Sequence, residues 1–72
     1  MNEMNWDQLR LFLAVAREGG LAGAARQTGS SPPTLARQML ALEARLGAEL
    51  FTRHARGYTL TDEGRALLER VE

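Results

Sequence analysis

A glycine, two serines and two adjacent prolines occupy residues 29–33, between two stretches whose apolar residues follow a helical period. Proline is tolerated in the first turn of a helix, where a missing N–H costs no hydrogen bond, but it breaks a helix further in. Ser31 can cap the free amides of that first turn, and Gly29 can end the preceding helix in a left-handed conformation. The stretch therefore predicts a helix end, a tight corner and a helix start in quick succession.

Apolar residues recur at helical intervals in the first and third of four segments, the second segment is short and rich in small residues, and the last carries apolar Leu67, Leu68 and Val71, so four helices are predicted. The predicted helices cover residues 6–18, 21–28, 32–46 and the stretch that follows Thr61. Asn5 is the expected N-cap of the first helix, and Thr61 is the expected N-cap of the last. The fold is therefore expected to be mainly α.

The helical period is interrupted over residues 50–60. Apolar residues begin and end this stretch, and a polar and basic centre with Gly57 separates them. Such a pattern favours two short strands joined by a turn over a helix. Among the aromatic residues, Trp6, Phe12 and Phe51 are expected to lie in the core.

The residue inventory excludes several kinds of site. A chain of 72 residues forms at most one domain, which buries only about 60% of its unfolded surface. It has no cysteine and a single histidine, His54, so disulfides and thiolate metal sites are excluded. No second ligand, paired acid or nucleophile accompanies His54, which predicts no catalysis, no metal site and no cofactor. Neither a membrane span nor a signal peptide is evident, so a cytoplasmic protein is expected.

Charge is unevenly distributed along the chain although it sums to zero. Between Arg26 and Arg56 there are five arginines and two glutamates, a net charge of +3, whereas the remaining residues carry four arginines and seven acids, a net charge of −3. A modest basic tract is often an ordinary solvated face. It therefore allows nucleic-acid binding without establishing it.

The second and third predicted helices have the layout of a helix-turn-helix. Ala25 is small enough for the two helices to cross closely, and Gly29 permits the tight corner. In such a unit the second helix presents its N-terminal turns to the DNA major groove, where side chains meet base edges. A basic β-hairpin directly after it makes a winged helix, with arginines placed for phosphates or the minor groove.

Three stretches of the chain resemble the N-terminal DNA-binding region of LysR-type transcriptional regulators, in the same order and without a gap. They read LRLFLAVAREGGLAGAARQTG, SPPTLARQMLALEARLGAELFTR and LTDEG, and the resemblance covers roughly residues 6 to 70. Its most diagnostic part is the series Leu42-Glu43, Leu46-Gly47, Leu50-Phe51, Arg53, Leu60-Thr61 and Gly64. This series argues against other winged-helix families, such as the molybdate-responsive regulators.

The resemblance implies a winged helix-turn-helix with a three-helix core, a two-stranded β wing and the start of a linker helix. Residues 1–60 would form the DNA-binding domain, and residues 61–72 would begin the linker helix. Family members pair through that helix, so a homo-oligomer is expected for the intact protein and weak pairing for this fragment. The family's effector-binding domain is absent from the sequence, which is expected to be an excised part or a naturally short relative. A small-molecule effector is expected only where that domain exists.

The resemblance also implies where DNA is contacted. It implies that residues 32–46 read the major groove of double-stranded operator DNA for transcriptional regulation, and that the wing, residues 51–60, meets the backbone or the minor groove. The implied contact residues are Ser31, Pro32, Pro33, Thr34, Ala36, Arg37 and Gln38 at the third helix, and Arg53, His54 and Arg56 in the wing.

Four positions depart from the usual family pattern. Pro32 stands where glutamine is usual and Ala36 where serine is usual, which removes two groups able to bond base edges. The proline rings and the Ala36 methyl group remain available for contacts with thymine methyl groups. Thr28 and Ser30 replace apolar residues and are expected to loosen the packing of the turn. Sequence preference is therefore expected to differ from that of most family members.

Other interpretations stay open for several polar residues. The Arg37 face could dock an acidic protein partner, with the winged helix as a scaffold, because fold alone does not fix function. Binding to DNA phosphates would weaken steeply with salt, which separates the two possibilities. Glu43 is expected to make a local structural bond, and Arg45 is expected to complement the dipole at the end of its helix.

Overall fold

The computed structural model of the protein describes residues 6–71. Its elements, in chain order, are α1 (Trp6–Glu18), α2 (Leu21–Thr28), α3 (Pro32–Leu46), β1 (Phe51–His54), β2 (Gly57–Leu60) and α4 (Asp62–Val71). The mainly α fold and its two-stranded hairpin, which follows α3 directly, are confirmed. The predicted N-cap Asn5 lies outside the described residues.

The corner between α2 and α3 is closed by local hydrogen bonds. Gly29 ends α2 in the left-handed conformation, with φ at 80°, and its N–H donates to the Ala25 carbonyl. Ser31 is the N-cap of α3, since its Oγ accepts a hydrogen bond from the Thr34 amide at 3.4 Å. Both prolines lie in the first turn of α3. The helix end, corner and helix start predicted over residues 29–33 are therefore confirmed.

Thr28 and Ser30 form local hydrogen bonds at this corner. The Thr28 hydroxyl donates to the Ala24 carbonyl at 2.8 Å and accepts from the Ser30 amide at 3.2 Å. A hydroxyl that donates to the carbonyl four residues earlier shares that acceptor with a backbone amide of its own helix. Hydrogen bonds therefore stand at two positions where apolar side chains are usual, and the expected loosening of the turn stays a prediction.

One core joins all three N-terminal helices, the hairpin and α4. Its largest fully buried side chains are Phe12, Val15, Leu35, Met39, Leu42 and Leu50. Phe51 is also buried and packs its ring 5.5 Å from Phe12 and 5.4 Å from Tyr58, centroid to centroid. Core positions were therefore predicted correctly for Phe12 and Phe51. The prediction for Trp6 was wrong, since 65% of that residue is exposed at the first turn of α1.

The hairpin is fastened to the helical core at the start of its second strand. β1 and β2 pair antiparallel with Phe51 opposite Leu60 and His54 opposite Gly57. The Tyr58 amide donates to the Gly19 carbonyl at 2.9 Å, in the link between α1 and α2. Gly57 has a φ of 140°, and a side chain there would overlap the same carbonyl oxygen. Only glycine allows the wing to approach the α1–α2 link this closely.

The end of the hairpin leads straight into α4. The Thr61 hydroxyl accepts from the Gly64 amide at 3.0 Å, which confirms Thr61 as the N-cap of α4. The Thr61 amide donates to the Leu50 carbonyl at 3.0 Å, and a side chain at Gly64 would overlap that same oxygen. These contacts hold the start of α4 against the start of β1. Within residues 6–71, none of the helices has the length and apolar character needed to cross a membrane.

Candidate nucleic-acid interface

The start of α3 is an open surface with a small hydroxyl network. Ser31, Pro32, Pro33 and Arg37 are exposed there, and Thr34 and Ala36 are partly exposed. The Thr34 hydroxyl accepts hydrogen bonds from the Ser31 hydroxyl at 3.0 Å and from Arg37 Nη2 at 3.4 Å. The Arg37 guanidinium therefore lies over the first turn of its own helix. One of its five donors is used by Thr34, and the others can reach a ligand.

Gln38 does not share this open surface. It is partly buried, and its Oε1 accepts a hydrogen bond from Nε2 of Gln8 at 3.0 Å. Gln8 lies on α1 and is 7% exposed. The structure therefore turns Gln38 toward α1, away from the residues with which sequence reasoning grouped it. Sequence reasoning also missed Gln8, because nothing in a single helix pattern links residues that are 30 positions apart.

Glu43 joins the end of α3 to the beginning of the hairpin. Its Oε2 accepts hydrogen bonds from the Leu50 amide at 2.7 Å and the Phe51 amide at 3.2 Å. Its Oε1 accepts from Arg53 Nη2 at 2.9 Å. The left-handed Gly47, with φ at 68°, turns the chain so that these donors come back to the helix. The structure confirms the expected structural role of Glu43, which is 8% exposed.

Arg53 is held between this carboxylate and an aromatic ring. Its guanidinium carbon lies 5.1 Å from the centroid of the Tyr58 ring, directly across the hairpin. Partial burial lowers the pKa of Arg53, but the hydrogen bonds with Glu43 and Tyr58 outweigh it, so the pKa lies above its ordinary value. About a third of the side chain remains exposed. The residue is thus an oriented, permanently charged cation on β1, one residue before the end of the strand.

The other two predicted wing residues lie nearer its tip. His54 is exposed, and its Nε2 lies 2.7 Å from the Thr59 hydroxyl on the opposite strand. Arg56 is exposed in the turn between the strands. Across residues 6–71, no three histidine, aspartate or glutamate side chains lie close enough together to hold a metal ion.

Leu40 was missed by sequence reasoning. It is 56% exposed on α3, one helical turn after Ala36 and Arg37. The helical period separates it from the buried Leu35, Met39 and Leu42, and that period was the available signal. A large apolar side chain therefore lies on the outer face of the same helix as the predicted contact residues.

A second apolar feature lies between the ends of three helices. A groove of about 570 Å³ is lined by Trp6 and Leu9 of α1, Leu46 of α3, and Leu67 and Val71 of α4, among others. It accounts for the exposure of Trp6, which borders the groove instead of entering the core. The groove is contiguous with α4, the helix that resembles the opening of a linker helix.

Comparison with known proteins agrees with this architecture. Residues 6–65 match the family model described as bacterial regulatory helix-turn-helix protein, lysR family. The HTH-type transcriptional regulator TfdS of Cupriavidus pinatubonensis is 50% identical over 66 residues, which are 92% of this chain and 22% of that protein. TcbR of Pseudomonas sp. strain P51 is 48% identical over the same shares of both chains. The chain thus spans about a fifth of the length of these curated relatives.

Two solved DNA complexes have the same fold. The crystal structure of the CbnR DNA-binding domain with DNA is 48% identical and superimposes with a TM-score of 0.90, over 93% of this chain and 77% of that one. The BenM DNA-binding domain with benA site 1 DNA is 34% identical, with a TM-score of 0.87 over 93% of this chain and 75% of that one.

Proposed function

The chain belongs to the LysR family of bacterial regulatory helix-turn-helix proteins, and from that membership we propose that it binds double-stranded operator DNA for transcriptional regulation. The observation that carries the proposal is the match to the CbnR DNA-binding domain, whose structure was solved with DNA. That match includes α3, the hairpin and their mutual arrangement, because it extends over 93% of the chain.

The first two turns of α3 supply the base-reading surface in this proposal. Arg37 has donors left after its bond to Thr34, and a guanidinium can bond guanine O6 and N7 together. The exposed rings of Pro32 and Pro33 and the partly exposed Ala36 offer apolar contacts in the same groove. Gln38 contributes little to reading in this arrangement, since its carbonyl oxygen is already bonded to Gln8.

The wing supplies backbone contacts. Arg53 is oriented by Glu43 and by the Tyr58 ring, so its remaining donors are already aimed when a phosphate arrives. Fixing a long side chain before binding lowers the entropy that binding must remove. His54 and Arg56, nearer the tip, are placed to meet the sugar–phosphate backbone or the minor groove.

The relatives of this chain are transcriptional regulators, which fits a protein that is not an enzyme. For the intact protein we propose that α4 begins a linker helix through which copies pair. Residues 61–72 would then be the linker segment that follows the DNA-binding unit of residues 1–60, with Leu67 of α4 packed in the core of that unit. A small-molecule effector would bind a domain that these 72 residues do not include. A protein of this kind would act in the cytoplasm.

Sedimentation of this chain at micromolar concentration without DNA should show mainly monomer, and a tight dimer would contradict weak pairing.

Selection from a randomised duplex pool tests the reading role of α3. The parent chain should enrich a defined site, and Arg37→Ala should lose that enrichment while keeping its circular dichroism spectrum. Arg70→Ala is the matched control, since Arg70 is an exposed arginine on α4, and it should select the parent site. An Arg37→Ala chain that selects the parent site would disprove the assigned role of Arg37.

Salt dependence tests the wing and the rival function together. Affinity for the selected duplex should fall steeply as salt rises, because bound phosphates release counterions. Arg53→Ala should flatten the slope of log K against log salt by about one unit, and Arg70→Ala should leave it unchanged. Duplex binding that ignores salt would contradict the DNA proposal and favour a protein-interaction module built on the same scaffold.

A further inference from the structure

An apolar row runs along the outer face of α3. Ala36, Leu40 and Ala44 follow one another at intervals of four, and residues so spaced lie above one another on a helix. Leu40 is 56% exposed, Ala44 is exposed and Ala36 is partly exposed. The row begins beside Arg37, so it continues the surface that the proposed function assigns to DNA reading.

We propose that Leu40 is a specificity-determining residue that reads thymine methyl groups in the major groove together with Ala36. The proposal rests on the proposed function, because it extends that base-reading surface into the third turn of α3. It assigns Leu40 a role in base reading, although Leu40 carries no hydrogen-bonding group.

The chemistry of the major groove leaves one partner for such a side chain. Phosphate and the polar base edges offer nothing to an aliphatic group, whereas the C5-methyl group of thymine is the apolar group that a base pair presents there. The exposed part of the Leu40 side chain contributes no burial free energy to the folded chain. On the face that meets the duplex, covering this apolar surface with a methyl group makes the free energy of DNA binding more favourable.

Where α3 follows the groove, the spacing of Ala36 and Leu40 suits bases about two steps apart. Ala36 and Leu40 are four residues apart, which corresponds to about 6 Å along the helix axis. Successive bases on one strand rise by about 3.4 Å. One side chain at each position can therefore meet a different thymine, while Arg37 lies between them in sequence and can bond a guanine in the same site.

The test compares thymine with uracil, which has the same hydrogen-bonding edge but no methyl group. A duplex selected by the parent chain is resynthesised with deoxyuridine in place of thymidine, and both dissociation constants are measured by fluorescence anisotropy. Loss of one buried methyl contact should weaken binding about fourfold. The parent chain should therefore prefer the thymine duplex, and Leu40→Ala should reduce that preference by about fourfold.

Leu46→Ala is the matched control, because it makes the same substitution on the same helix. Leu46 is 38% exposed and lines the groove beside Trp6, so this variant should keep the parent preference for thymine. Circular dichroism and the urea midpoint establish that each variant is folded. Comparing variants on the same two duplexes also removes any effect of uracil on DNA shape.

Two results would overturn the inference and leave the proposed function standing. One is an equal preference for thymine in the parent chain and in Leu40→Ala. The other is a selected site without any A·T pair. A parent chain that binds neither duplex, even at low salt, would instead contradict the proposed function itself.

Discussion

The carboxylate of Glu43 should contribute more to the stability of the folded chain than most single side-chain groups. The variant Glu43→Ala measures that contribution. The amides of Leu50 and Phe51 lose their acceptor in Glu43→Ala, and both residues are at most 2% exposed. Each buried donor left without a partner costs about 1 to 3 kcal/mol, so the two together cost about 4 kcal/mol. A domain of 72 residues has about 4 to 11 kcal/mol of unfolding free energy in total.

Glu43→Gln separates the loss of charge from the loss of shape. Glutamine keeps one carbonyl oxygen for the backbone amides, but its NH₂ group faces the Arg53 guanidinium, which also only donates. The expected cost is about 2 kcal/mol, between the parent chain and the alanine variant.

Urea unfolding followed by circular dichroism at 222 nm measures both variants. The free energy of unfolding falls by about 1 kcal/mol for each molar of urea. The urea midpoint of Glu43→Gln should therefore lie about 2 M below that of the parent chain, and Glu43→Ala should lack a full native baseline. Glu69→Ala, which removes an exposed acid on α4, should stay within about 0.5 kcal/mol of the parent. A Glu43→Ala midpoint within about 0.5 M of the parent would refute the reasoning.

Two further substitutions test contacts that hold the elements in place. Gly64→Ala should destabilise the chain by about 2 kcal/mol in the same urea assay, because its Cβ would overlap the Leu50 carbonyl. Gly23→Ala is its comparison: the new Cβ would lie 2.6 Å from Oε1 and 2.9 Å from Cβ of Glu18, which must shift, but it meets no backbone atom, so a loss smaller than that at Gly64 is expected, and equal losses at both glycines would contradict the overlap. Ser31→Ala should lower the free energy of unfolding by about 1 kcal/mol through loss of the α3 cap, and an unchanged thermal midpoint would show that the cap is dispensable.

Element boundaries could be predicted because local chemistry sets them. Gly29 ends a helix through its own backbone conformation, and Ser31 and Thr61 cap the helices that follow within three residues. None of these interactions depends on the rest of the fold. The hairpin could also be predicted, since its change of period is visible within residues 50–60.

The errors concern interactions between distant parts of the chain. An apolar period shows which side of α1 faces inward, but not where the covering elements stop, so the exposure of Trp6 was not predicted. The Gln8–Gln38 bond and the exposed Leu40 depend on how α3 lies against α1. The candidate site was therefore predicted as a helix face and a wing, while the orientation of its individual side chains required the three-dimensional structure.

The bonds from Glu43 to Leu50 and Phe51 tie the wing to α3, and the bond from Tyr58 to Gly19 ties it to the α1–α2 link. In the proposed complex, the distance between the groove-reading helix and the backbone-contacting hairpin is then a property of the protein alone. The duplex, not the protein, must bend or twist until its major groove and its neighbouring phosphates fit that distance. Sites containing easily deformed steps such as TA or CA would bind more tightly even where no side chain touches those bases.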